Sequence, residues 1–543
     1  MAHSRFKKTL ALAAAAAICF LPAGPAFANN KGFGETETPI KHLVIIFQEN
    51  VSFDHYFGTY PNAMNPSGEP AFHAKKDTPT VNGLSAALLN SNPNLVSVGN
   101  GLGATNPFRL DRSQAVTNDQ NHAYGPEQAA AHGGLMDLFP SKVGTAGPPP
   151  NAPPLAVTTK GLTMGYFDGN TVTAFWNYAQ HYAMSDNSYD TNFGPSTPGL
   201  INLVSGQTNG AINILNGPSG NEVDGGDGTL TVVGDPDPTG DICSAPTRNQ
   251  VNMSGPNIGE KLTAAGITWG SFMGGFDLTI KNSNGTTGCL RSSTGLAGTT
   301  GDYIPHHAFF QYWTSTSNPT HARPASVNEI GHDGAANHEY DINDFFTTIK
   351  HGNLPAVSFL KAPAFQDGHA GYSDPLDEQT FVVNVINTLQ KSNFWSDTAV
   401  VILYDDSDGW YDHVMSPIVN QSASAQDLLI PTGATTGTCG DGTTALPGVA
   451  GNPHAQGRCG YGPRQPFLVI SPWARQNFVD HSVTDQTSVL RFIEDNWLEN
   501  QRLGSGSYDD FANSITQFFD FSGHRDDDNR LILDPSTGLV VGH

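Results

Sequence analysis

The sequence predicts an α/β fold: a mostly parallel central sheet with helices on both faces and long capping insertions. Three observations carry this. Apolar runs of strand length alternate with amphipathic helical stretches along the 543 residues, which is how βα units read. Two of the runs, 43–47 (Leu-Val-Ile-Ile-Phe) and 398–404 (Thr-Ala-Val-Val-Ile-Leu-Tyr), are unbroken and rich in β-branched residues, as strands covered on both faces are. The 59 glycines and 37 prolines, against only 14% charged residues, are the composition of long ordered loops on a large framework.

Residues 1–28 have a basic start (Arg5, Lys7, Lys8), an apolar middle broken by Pro22 and Pro25, and Ala26-Phe27-Ala28 as a small-residue cleavage site, so they read as an export signal. No later run is long enough to span a bilayer. Removing the signal leaves 23 basic residues against 50 acidic ones, a formal charge of −27. Nucleic acid and anionic membrane surfaces would repel such a chain, and its self-repulsion relaxes as pH falls. Cys19 leaves with the signal. The remaining Cys243, Cys289, Cys439 and Cys459 suit two disulfides in an exported protein. Of the three pairings, Cys243–Cys289 with Cys439–Cys459 is preferred, since each pair brackets a Gly/Ser/Thr-rich insertion. No spacing resembles a zinc ribbon.

Residues 29–543 are read as one domain. Helices are expected at 171–182, 198–204, 259–265, 340–350, 377–391 and 487–497, and strands at 267–273, 354–361, 398–404 and 466–470 as well as at 43–47. The stretches 59–161, 205–257, 282–303 and 414–463 are insertions expected to cap one rim. Sequence carries no signal of oligomeric state.

The chemistry is expected where the two apolar runs stop. The first ends in Gln48-Glu49-Asn50 and the second in Asp405-Asp406-Ser407-Asp408-Gly409. If both strands lie in one sheet and point the same way, Glu49, Asn50, Asp405 and Asp406 meet at its carboxyl edge, where open α/β sheets bind ligands. Three carboxylates so close resist ionising unless a cation sits among them. Taken singly, each segment reads equally well as a helix cap or a turn; together they favour a metal site. A third segment, Phe193-Gly194-Pro195-Ser196-Thr197-Pro198-Gly199, puts Pro198 in the first turn of a helix and Ser196 or Thr197 at its amino end. Ser196 could simply cap that helix. Facing the acid cluster, it becomes a candidate nucleophile, because a cation lowers a hydroxyl pKa.

The segments IKHLVIIFQENVSFDHYFGTYPN, FGPSTPG, YDDSDGWYDHV and YGPRQPFLVISP resemble the signature segments of the bacterial phosphoesterase family that holds phosphatidylcholine-type phospholipases C and respiratory-burst-inhibiting acid phosphatases, with a core similar to alkaline phosphatase and the sulfatases. The likeness runs from about Ile40 to Trp497. It implies a secreted or periplasmic single-metal phosphoester hydrolase whose ion is bound by Glu49, Asn50, Ser196, Asp405 and Asp406, with Ser196 also the nucleophile. It further implies histidines around the phosphoryl oxygens at His122, His307 and His369, with His306 beside them. Protonated imidazoles would there replace the second cation of a two-metal site, and one could protonate the leaving group, which favours work in acid. Oxygen donors favour Mg, Ca or Mn over zinc and leave iron open. Many phospholipase members carry threonine in place of the serine and often add carboxyl-terminal β domains; this chain differs on both points, which tilts the reading to an acid phosphatase.

Other residues have plainer readings. His413 is expected to be structural and His73, His321 and His481 to lie on the surface. Asp408 is either a further ligand or a turn residue, and Arg464 either orients the acids or faces solvent. The rival functions are a phospholipase C cleaving phosphatidylcholine-type diesters, for which Trp176, Trp313 and Trp410 could form a choline cage, and a non-catalytic, metal-stabilised binding protein. A sulfatase is disfavoured because its modified-residue motif is missing. The expected partner is a small phosphoester or a phospholipid.

Overall fold

The computed structural model describes residues 35–147, 159–226, 228–429, 439–440, 456–522 and 529–542. The central sheet has nine strands: β1 His42–Gln48, β2 Ala183–Tyr189, β3 Trp269–Met273, β4 Glu339–Asp341, β5 Val357–Lys361, β6 Thr398–Tyr404, β7 Arg464–Ile470, β8 Phe478–Asp480 and β9 Thr484–Asp485. Their order is β4-β3-β5-β1-β6-β7-β2-β8, with β9 also on β2. β7 alone runs against its neighbours β6 and β2; the other named pairings in the sheet are parallel. β1 and β6 are the inner strands their composition predicts, and every residue from Leu43 to Gln48 and from Thr398 to Tyr404 is buried.

The main helices are α1 Phe53–Phe57, α2 Tyr124–Ala131, α3 Thr173–His181, α4 Ser196–Ser205, α5 Ile258–Ala264, α6 Ile342–His351, α7 Pro375–Gln390 and α8 Thr487–Trp497. They cover the sheet in two groups: α4 touches α5 and α8, and α7 touches α3 and α6. The α/β class is therefore as the alternation of patterns predicts. One local expectation needs correction, and one strand was not anticipated. Residues 340–350 do not start as helix, because Tyr340 and Asp341 finish β4 and the Asp341 carboxylate caps α6 by accepting from Asn343 N at 3.0 Å. Residues 183–189, whose Ser185-Asp186-Asn187-Ser188 run hides any strand pattern, form β2.

Both disulfides pair as expected, Cys243 with Cys289 and Cys439 with Cys459. The 205–257 insertion carries a five-stranded sheet of its own, within residues 209–253. Residues 1–28, and parts of three insertions (148–158, 227, 430–438 and 441–455), lie outside the described residues. Among the described residues no helix is long and apolar enough to cross a membrane.

One buried acid gives the fold a pH dependence. Glu339 in β4 is wholly buried, and loss of hydration pushes its carboxyl up to about 8. The unfolded chain gives up that proton near 4.5, so the contribution to stability is whole below about pH 4.5 and is lost as pH rises towards 8. Glu339→Gln, which mimics the protonated acid, should gain about 2 to 4 kcal/mol over the parent at pH 8.5 and almost nothing at pH 4.5. Thermal unfolding at both pH values checks this; equal offsets at the two would refute it.

Candidate active site

Parallel register brings the acids together. β1 and β6 are paired with Gln48 opposite Tyr404, so the next residues, Glu49 and Asp405, leave the sheet side by side, and Asp405 N donates to Gln48 O at 3.2 Å. Asn50 then turns in the left-handed region at φ 41°, a conformation asparagine tolerates. Its amide nitrogen lies 2.9 Å from Asp405 Oδ1 and 2.6 Å from Glu49 Oε2, and its oxygen accepts from His369 Nε2 at 3.2 Å.

Helix α4 starts against this edge. Gly199 makes the approach possible: a Cβ there would sit 2.1 Å from Asp405 O, so any larger residue would push the helix away. Ser196, at the first position of α4, is 2% exposed. Its Oγ lies 3.1 Å from Glu49 Oε2 and 3.1 Å from Asp406 Oδ2. A hydroxyl has one hydrogen and can satisfy only one carboxylate. The second contact needs either a protonated acid that donates to Oγ or a cation shared by the two oxygens. Glu49, Asp405, Asp406 and Ser196 bring oxygens together that could hold a hard divalent ion, while Asn50 turns its amide nitrogen to the acids and its oxygen to His369. Burial, together with crowding by the neighbouring acids, raises the carboxyl pKa of Glu49 and of Asp405, and that of Asp406 to about 8.

The four predicted histidines ring the same point. His307 Nδ1 is 3.0 Å from Glu49 Oε1, and the His306 and His307 rings are 4.5 Å apart. His369 reaches Asn50, and its ring lies 5.7 Å from that of His122. His122 Nδ1 faces Asp408 Oδ1 at 3.1 Å and Asp119 Oδ1 at 3.4 Å. Their surroundings push them in different directions. Burial opposes the charge on His122, but Asp406, Asp119 and Asp408 outweigh it and raise its pKa well above the usual 6.5. Burial holds His369 down to about 4 and, with His306 and Lys361, lowers His307 well below the usual 6.5.

Lys361 and Glu127 were not anticipated. Lys361, the last residue of β5, is buried and pairs with Glu49 Oε1 and, at 2.8 Å, with Asp405 Oδ2; it leaves the three carboxylates only partly neutralised. The signal for it was available, since it ends the predicted strand 354–361 at the same sheet edge. Glu127 on α2 accepts from Ser407 Oγ at 2.5 Å and Gly194 N at 3.2 Å, bracing the acid loop to the loop before α4. No sequence pattern marks it.

The remaining expectations divide. His413 is structural, with Nδ1 2.6 Å from Asp54 Oδ2. Asp408 sits at a left-handed turn and holds His122. Arg464 is wholly buried and pairs with Asp54 and Asp412, so it neither faces solvent nor touches the acid cluster. His73 and His481 are exposed. His321 is not on the surface: it is 4% exposed and bonded to Asp241. Trp176, Trp313 and Trp410 are each at most 2% exposed. Trp176 packs on Phe57 and Phe72, and Trp410 stacks on His55, so they form core and not a choline cage.

A cleft of about 900 Å³ opens beside Ser196, lined by Pro195 and His122 and by residues of three insertions: Asp119–Pro126 and Thr145, Ser219–Asn221 with Val233–Asp235, Arg248 and Asn249, and Ala425, Gln426 and Leu428.

Known proteins share this chain's sequence over most of its length. Phospholipase C A of Mycobacterium tuberculosis is 24% identical over 508 residues, 91% of this chain and 80% of that protein. A non-hemolytic phospholipase C of Pseudomonas aeruginosa is 24% identical over 470 residues, 84% of this chain and 53% of its own length. Murine ectonucleotide pyrophosphatase/phosphodiesterase 5 is a solved structure 12% identical, covering 64% of this chain and 95% of its own, with a TM-score of 0.29. The relatives in sequence cleave phosphoesters, and the present chain is a phosphoester hydrolase as they are. The model of the Phosphoesterase family matches residues 40–498, from just before β1 to just after α8, and the chain belongs to that family.

Proposed function

We propose that this hydrolase is an exported acid phosphatase that cleaves small polar phosphomonoesters through a phosphoserine at Ser196. The observation that carries the reading is the Ser196 hydroxyl, buried at a helix start, within 3.1 Å of two carboxylates and next to a cleft whose wall is half polar and half apolar. Glu49, Asn50, Ser196, Asp405 and Asp406 would hold one divalent ion, Mg, Ca or Mn, which when bound lowers the hydroxyl pKa and offsets phosphoryl charge. Ser196 Oγ attacks phosphorus in line, its proton passing to one of the two facing carboxylates; an Oγ–P bond forms as the P–O bond to the alcohol breaks. His122 lines the cleft where the departing alkoxide sits, and supplies the proton to it. Water then attacks the phosphoserine, releasing phosphate and restoring the hydroxyl. His306, His307 and His369 orient the phosphoryl oxygens.

Two disulfides suit an oxidising compartment, secreted or periplasmic. Phospholipase C is the second reading, favoured by the names of the relatives; the core positions of the three tryptophans argue against a choline cage built from them. Parallel assays at pH 5–6 with p-nitrophenyl phosphate and phosphatidylcholine separate the two. The expected result is kcat/KM at least about 100-fold higher on the monoester, a difference of about 2.7 kcal/mol in transition-state binding. The inverse ratio would assign the diesterase, and turnover of neither substrate would overturn both readings of its specificity.

A further inference from the structure

We infer that the cleft beside Ser196 contains a leaving-group subsite for a second anionic group, with Arg248 as its cation. The best substrates are then phosphoesters of small alcohols that themselves carry an anionic group such as a carboxylate. This rests on the reading of Ser196 as nucleophile.

Arg248 is the only lysine or arginine among the cleft's described lining residues. It stands on the same wall as Asp119 and Asp235, and in a chain this acidic it offers an anionic substrate a point of attraction. The guanidinium is pinned from behind. Its Nε faces Asp237 Oδ1 at 3.3 Å, and its Nη2 donates to Asp235 O at 2.9 Å. Nη1 has no hydrogen-bond or ion-pair partner among the described residues, and the side chain is 46% exposed. Asp237, by contrast, is 2% exposed, so the carboxylate lies behind the guanidinium and the open edge faces the cleft.

The two acids on the cleft wall are already engaged. Asp119 pairs with His122, and Asp235 Oδ1 accepts from Thr197 N at 2.9 Å. Asp235 ties the guanidinium to the nucleophile's helix: its carboxylate accepts from Thr197 N, next to Ser196, while its own carbonyl accepts from Arg248 Nη2. Asn221 and Asn249, joined by a 3.1 Å hydrogen bond, add amides beside the guanidinium for the hydroxyls of the substrate alcohol.

The test compares 3-phosphoglycerate with glycerol 3-phosphate, which share a three-carbon frame and differ in a carboxylate against a hydroxymethyl group. Phosphate release by the full-length enzyme gives kcat/KM for each. The wild type should favour 3-phosphoglycerate by about tenfold or more, and Arg248→Met should cut that ratio by about tenfold. Arg248→Lys should fall between, keeping charge without the fork. A disturbance of the fold, or of His306 through Asp237, would lower both substrates together and leave the ratio alone. A wild-type ratio near one, or an unchanged ratio in Arg248→Met, overturns the subsite while Ser196 stands. No release from either substrate overturns the Ser196 reading itself.

Discussion

Ser196→Ala should lose more than about a thousandfold in kcat on p-nitrophenyl phosphate, because the variant must use water directly and forfeits the covalent route. The replaced atom is small and the change shortens a side chain that is already buried, so the fold should survive. The thermal midpoint should move by no more than a few degrees, or even rise, since the variant removes an oxygen crowded by two carboxylates. Two measurements make the test specific to a nucleophile. Wild-type enzyme quenched in acid during turnover should carry a phosphate on the peptide containing Ser196, detectable by mass spectrometry. Ser196→Thr should retain part of the activity, because it keeps a hydroxyl at the same helix position. Retention of activity by Ser196→Ala, or a phosphate found on another residue, would end the assignment.

The part of this site that was legible from sequence is the part made by strand ends. An apolar run that stops abruptly in Glu49 or in Asp405-Asp406 announces both a buried strand and the place where it surfaces, and parallel pairing of β1 with β6 then does the rest. A serine before Pro198 is legible for the same reason, since proline marks the first turn of a helix. What was hidden depends on partners far apart in the chain. Lys361 at the end of a strand looks like a solvated cap until β5 is known to lie beside β1, where Nζ meets Glu49 and Asp405. His321 looks like surface until Asp241, 80 residues away, Tyr303 and Gln311 are seen to converge on one buried carboxylate. Arg464 was open to two readings and took neither, because the acids it answers are Asp54 in α1 and Asp412 in the loop after β6. Charge compensation is a property of the assembled interior, and single-sequence periodicity carries no record of it.

The same compensation predicts how the protein answers to ions. Around Ser196 Oγ stand three carboxylates with one lysine ammonium, so a divalent cation should bind the folded chain and not the unfolded one, and linkage converts that binding into stability. Protein dialysed against a chelator and then given Mg, Ca or Mn at a thousand times the dissociation constant should gain about 4 kcal/mol, a rise of several degrees in Tm. Zinc should give less than these hard ions at the acids facing Ser196, whose donors are oxygens. Asp406→Asn should abolish the rise and lower kcat by about a hundredfold or more, because one change removes both an ion ligand and a proton acceptor for Ser196. Asp412→Asn is the control. That carboxylate is equally buried but answers Arg464, so its loss should lower the starting Tm while leaving the ion-induced increment in place. If the increment survives in Asp406→Asn, or if no divalent ion shifts the wild type, these acids do not form an ion site, and the close approach of two carboxylates to one hydroxyl must be explained by shared protons instead.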